Sequence, residues 1–215
     1  MTDDLARRTV ANRRRVADLV ERLDEAQLAS PSLCAGWSCR DVVGHLVMAV
    51  DLSVPRFLLE VLRDRGRVAR TSTRVAQQVG ARPVPDLVHA LREHAGDRLS
   101  PPGVGPTGPF VDSCIHLRDI ALPLDLDDGP PLEDWARVLD LLRTPQARAA
   151  GFLPRGRLDG LRLRATDQGW SAGTGAEVAG TSEALALAAT GRAVGLAELE
   201  GPGLPLLRQR VAPGG

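Results

Sequence analysis

LCAGWSCRDVVGHLVMAVD, Leu33 to Asp51, decides how the first two thirds of the chain read. Pro31 and Gly36 break the chain ahead of it. Ser38 then reads as a helix N-cap, with Asp41 at the third helical position. Val42, Val43, Leu46, Val47 and Val50 follow at helical spacing and give one apolar face. Phe57, Leu58 and Val61 carry the pattern on to Leu62, and Pro55 inside it predicts a kink or a break.

The same period appears on both sides. Leu5, Val10, Val16, Leu19, Val20 and Leu23 form an approximate stripe from Asp4 to Leu23. Pro85 to Leu99 reads as a third helix. SPPGVGPTGP, Ser100 to Pro109, is a loop of four prolines and three glycines. It leads into VDSCIHLRDIALP, Val111 to Pro123, a fourth helix closed by DLDDGPP, and a shorter helix follows over Leu132 to Leu142. VARTSTRVAQQVGARP, Val68 to Pro83, is polar and reads as a loop over the site.

The character changes near Gly151. Leu161, Leu163 and Ala165 alternate with Arg162, Arg164 and Thr166, which is strand spacing. Asp167–Gly169 makes a hairpin turn before Trp170, and Ala176–Gly180 adds a third strand. TSEALALAATGR reads as a helix capped by Thr181 or Ser182 and stopped by Gly191. The expected architecture is a bundle of four long helices over 1–150, then a small α+β unit over 151–215.

Composition narrows the function. The formal net charge is zero, so no broad basic field draws nucleic acid or an anionic membrane. No window reaches the roughly 20 apolar residues of a membrane span. The charged N-terminus has no signal-peptide core, so a cytoplasmic protein is expected. All 27 basic residues are arginine and tyrosine is absent, the composition of a high-GC genome. Cys34, Cys39 and Cys114 are too few for a disulfide framework and are read as small buried thiols.

Asp112, His116 and Asp119 share one face of the fourth helix. Two readings are open: half of a metal site, or the polar face of an ordinary helix. His45 sits near the edge of the apolar face of the second helix. Alone, each histidine is a hydrogen-bonded core residue. Together they fit the way bundles aim ligands inward from facing helices. Two histidines and a carboxylate leave a coordination position open, as in a reactive metal site. Asp119 can be read as a ligand, and more readily as an acid that orients one or as a cap-like surface acid. His89 and His94, five apart around Arg92 and Glu93, read as surface residues.

Three segments resemble the mycothiol-dependent maleylpyruvate isomerase family, part of the DinB-like metal-binding bundles. LCAGWSCRDVVGHLVMAVD is similar to its N-terminal signature. VDSCIHLRDIAL resembles its second, a carboxylate one turn ahead of a histidine with an Asp soon after. DQGWSAGTGAEVAGTSEALALAATGR resembles its C-terminal domain up to the Thr-Gly-Arg end. The resemblance implies His45, Asp112 and His116 as ligands of a divalent metal, zinc first. It implies Arg192 as a catalytic residue that faces the pocket and holds an anion; the other reading of Arg192 is a charge on the last carbonyls of its helix. In the family the carboxylate is usually glutamate, so Asp112 is one methylene short.

The implied cosubstrate is mycothiol, the small thiol of actinobacteria, held as a thiolate by the metal. The implied activity is isomerisation of, or thiol transfer to, a small electrophile, by a monomer or homodimer. The alternative is a non-catalytic DinB-like module with a structural or absent metal. A 2-His-1-carboxylate iron oxygenase fits less well, because those sites sit in β-barrels and this region reads helical.

Overall fold

The computed structural model describes residues 2–96, 105 and 107–211. By its contacts the chain divides into Met1–Pro130 and Pro131–Gly215.

In the first unit, α1 (Thr2–Val20) is followed by a short α2 (Glu25–Ala29) and by α3 (Cys39–Asp51). Ser38 caps α3 as expected: its hydroxyl accepts from the Asp41 N–H while the Asp41 carboxylate accepts from the Ser38 N–H. The helix expected to reach Leu62 ends at Asp51 and restarts as α4 (Val54–Arg63), with Pro55 in the first turn of α4. Proline supplies no N–H to a helix interior and is tolerated in the first turn, so Pro55 breaks the helix rather than bending it. α5 (Val68–Gly80), α6 (Val84–Glu93) and α7 (Thr107–Ala121) follow. Of the expected proline-rich loop, Ser100–Val104 and Pro106 lie outside the described residues, as do Asp97–Leu99 at the expected end of the third helix.

α1, α3, α6 and α7 are the four bundle helices. α1 packs on α6 and α7, and α3 packs on the same two. Leu19, Leu46, Leu87, Leu91, Leu117 and Ile120 meet in one cluster between them. α7 is buried on nearly all sides, which explains its weak amphipathic pattern.

Val68–Gly80 is a helix and not a loop. Its buried residues, Thr71, Val75, Ala76, Val79 and Gly80, recur at helical spacing, but most are small. Small residues suffice because α5 lies backbone to backbone on α3. A Cβ on Gly44 would stand 2.1 Å from the Ala76 carbonyl oxygen and 2.6 Å from the Gly80 nitrogen, and one on Gly80 would stand 2.7 Å from the Arg40 oxygen. The strip has helical spacing but only two large apolar residues, Val75 and Val79, among many polar ones, and so it reads as a loop.

The second unit begins with α8 (Leu132–Leu142), which packs on α10 (Ser182–Ala189). That packing is why the contact boundary falls at 130/131 and not at 150/151. After a short α9 (Pro145–Ala149) come β1 (Leu161–Ala165), β2 (Ser171–Gly173) and β3 (Ala176–Gly180), in the sheet order β2-β1-β3. Leu161, Leu163 and Ala165 are buried, as their alternation requires. β2 pairs antiparallel with β1, and β3 pairs parallel on its other side. Only Thr174 and Gly175 link β2 to β3, so the chain must wrap tightly under the start of β1. A Cβ on Gly175, at φ 122°, would stand 2.1 Å from the Gly160 oxygen, so glycine is required there. Thr181 caps α10, and Gly191, at φ 95°, ends it: its N–H and that of Arg192 donate to the Ala188 and Leu187 oxygens. α11 (Leu204–Val211) closes the described chain.

Candidate metal centre

His45 stands on α3, and Asp112, His116 and Asp119 stand on α7, one or two turns apart. The two helices pack together and bring both imidazoles onto one carboxylate. His45 Nε2 lies 3.4 Å from Asp112 Oδ2, and His116 Nε2 lies 3.2 Å from Asp112 Oδ1. The rings stand edge to face with centroids 5.0 Å apart, and Trp37 flanks His45 at 5.5 Å. One ligand atom from each of His45, Asp112 and His116 lies within 4.8 Å of the others. The helix face that the sequence left open therefore does converge with the second helix.

Electrostatics tie the three together. Burial penalises the Asp112 carboxylate, but His116 and His45 outweigh that and hold the carboxyl well below the usual range. Burial likewise opposes the His116 imidazolium, and the Asp112 charge, with hydrogen bonds to Asp112, Asp119 and Cys34, raises it well above the ordinary histidine range. A divalent cation would take over the role that the proton on His116 plays here.

Asp119 is fully buried, and its Oδ2 lies 2.7 Å from His116 Nδ1. With Nδ1–H donated to this acid, Nε2 faces Asp112 and is the nitrogen that a cation would take once its proton leaves. A carboxylate behind a ligating imidazole is the usual support of a metal-binding histidine. His45 lacks that support among the described residues, since its Nδ1 is buried with no hydrogen-bond partner. The donor set still suits zinc: two imidazoles and a carboxylate, with a position left open.

Residues 10–107 match the family model described as the mycothiol maleylpyruvate isomerase N-terminal domain. The matched segment contains Cys34, Trp37 and His45 and ends at the first residue of α7, so Asp112 and His116 lie beyond it and reach His45 through the packing of α3 and α7. A crystal structure of the mycothiol-dependent maleylpyruvate isomerase aligns over 94% of this chain and 93% of its own, at 14% identity and TM-score 0.50, and shows a shared fold. A histidine-to-alanine mutant of the mycothiol-dependent maleylpyruvate isomerase aligns over the same shares at 14% identity and TM-score 0.47. No curated protein matches the chain.

Other expected residues fall as follows. Arg192 lies in the second unit, where its guanidinium donates to the Thr190 carbonyl at 2.9 Å, at the C-terminal end of α10. His89 and His94 are exposed. Cys39 and Cys114 are buried thiols, as read, but Cys34 is half-buried. Its Sγ lies 3.1 Å from Asp119 Oδ2 and 3.7 Å from His116 Nδ1. Nothing in its spacing announces this contact; the only signal is its place in the Cys-Ala-Gly-Trp turn just before α3. Among the described residues no helix is long and apolar enough to cross a membrane.

The cysteines are separable by experiment. Burial pushes the Cys39 thiol up to about 11. At pH 8 about one Cys39 in a thousand is a thiolate. Maleimide should leave Cys39 unlabelled in the folded protein and label it promptly in urea. Equal labelling rates in the two states would contradict its burial.

Proposed function

We propose that this chain is a metal-assisted, mycothiol-dependent enzyme that isomerises a small electrophile or transfers the thiol to it. The observation that carries the reading is the convergence of His45, Asp112 and His116 in a chain whose residues 10–107 match the model of the isomerase N-terminal domain. His45 and His116 would bind the cation through Nε2 and Asp112 through its carboxylate, with zinc favoured by the donor set. Such a cation lowers the pKa of a thiol at its open position and so favours the nucleophilic thiolate.

The chain's own side chains do the rest. Asp119 keeps the His116 ring in one tautomer. Trp37 packs against the His45 ring and shields it from water. In the second unit, Arg192 would hold an anion. Its neighbour Arg157, depressed by burial and by the Arg192 charge and with a buried Nε lacking a partner, marks a place where an anion is electrostatically favoured. The second reading, a non-catalytic module, draws support from one observation: the unsupported Nδ1 of His45.

Protein purified without chelator should carry about one divalent ion per chain. Incubated with mycothiol and a panel of electrophiles that includes maleylpyruvate, it should yield an isomer or a conjugate detectable by mass. Metal without product supports the module, and a chain that takes up no zinc sinks both the metal and the enzyme. Proton competition gives a second handle. The metal requires neutral His116, whose folded pKa lies well above 6.5 in the metal-free protein. Zinc affinity should therefore rise by about tenfold per pH unit across that window, with proton release on binding. The stability of the metal-free protein should run the other way. The charged His116 contributes fully below the unfolded value of 6.5, and this is lost as pH rises through the raised folded value. Calorimetry that detects no proton release above pH 6.5 would contradict the His116 assignment.

A further inference from the structure

We propose that Cys34 is a positioning residue for the metal centre, acting through Asp119 on the His116 ring. This rests on the metal reading above and adds to it a residue from outside the helices. The Cys34 thiol donates to Asp119 Oδ2 at 3.1 Å, and His116 Nδ1 lies 2.7 Å from the same oxygen. Two donors therefore converge on one oxygen of a carboxylate with no exposed surface. A buried carboxylate needs donors around it, and each one restricts where it can swing.

The thiol is not a dangling side chain. The Leu33 N–H donates to the Asp119 carbonyl at 3.1 Å, which clamps the turn to the last turn of α7. Within the turn, the Cys34 N–H donates to Ser32 Oγ at 3.1 Å and the Trp37 N–H donates to the Cys34 oxygen at 2.9 Å. Pro31 and Ser38 bridge its base. Gly36, at φ 77°, allows the reversal. The turn therefore holds the thiol, the thiol and the Leu33 amide hold Asp119, and Asp119 holds Nδ1 so that Nε2 faces Asp112. Cys34→Ala removes one of the donors that fix Asp119 Oδ2, and the aim of the ligand loosens with it.

The test measures zinc affinity by chelator competition in wild type, Cys34→Ala, Cys34→Ser and His116→Ala, with thermal melts to confirm folding. Cys34→Ala should bind about tenfold more weakly, in the range found for residues that support a metal ligand. Cys34→Ser keeps a donor and should restore most of the loss. Cobalt-loaded wild type should show no thiolate-to-cobalt charge-transfer band. Cys34→Ala with wild-type affinity, or Cys34→Ser as weak as Cys34→Ala, overturns the positioning role. A charge-transfer band that vanishes in Cys34→Ala also overturns it, because the thiol would then be a ligand in the neighbouring set Cys34, His116 and Asp119. If His116→Ala loses zinc while Cys34→Ala does not, the positioning role alone fails. If wild type binds no zinc, the metal reading fails with it.

Discussion

With the proposed zinc centre, His116→Ala should bind zinc at least about 100-fold more weakly than wild type. The reason is the ring's double engagement: Nε2 lies 3.2 Å from Asp112, and Nδ1 lies 2.7 Å from Asp119. Supporting residues alone cost about 10- to 100-fold when removed, so a ligand costs more. The substitution also strands the fully buried Asp119 without its imidazole partner. Metal analysis after dialysis, with circular dichroism to show that the helices persist, decides the matter. A His116→Ala protein that is folded and retains a full complement of zinc would remove His116 from the site. His116→Gln keeps the size of the side chain while losing the imidazole, and it should also lose zinc.

Gly44→Ala should be the most damaging single methyl group in the first unit. Its Cβ would stand 2.1 Å from the Ala76 oxygen and 2.8 Å from the Gly80 Cα, so α3 and α5 must move apart. Overpacking of this kind costs about 3 kcal/mol, and here the atoms that must move are backbone atoms of two packed helices. Gly96→Ala is the matched control, since among the described residues nothing lies within 4 Å of a Cβ there. Chemical denaturation should separate the two variants clearly. If Gly44→Ala matches Gly96→Ala, the close approach of α3 and α5 is wrong. Gly44 immediately precedes His45, so a folded Gly44→Ala protein should also bind zinc more weakly than wild type.

Much of this was legible in the chain because helix and strand signals are local. Ser38 and Asp41 cap α3, Pro55 ends it, Thr181 and Gly191 bracket α10, and Leu161, Leu163 and Ala165 face inward from β1. Each follows from residues a few places apart. α5 was not legible, because only Val75 and Val79 of its contact surface are large apolar residues and the rest is glycine, alanine and threonine. Such a surface buries against backbone and leaves no large apolar stripe. The boundary between the units was not legible either: α8 carries an ordinary amphipathic pattern, and nothing in that pattern says that its partner is α10.

The site divides in the same way. By itself the sequence determined that α7 presents a carboxylate and a histidine one turn apart, and that α3 carries a second histidine near the edge of its apolar face. Those statements need only the period of a helix. Tertiary structure decided that Nε2 of both rings meets Asp112, that Asp119 holds the far side of His116, and that the Cys34 thiol reaches the same oxygen from a turn 85 residues earlier. These depend on how two helices cross and on where one turn is clamped. Crossing and clamping come from packing and hydrogen bonds between distant segments, for which no spacing along the chain is a signal.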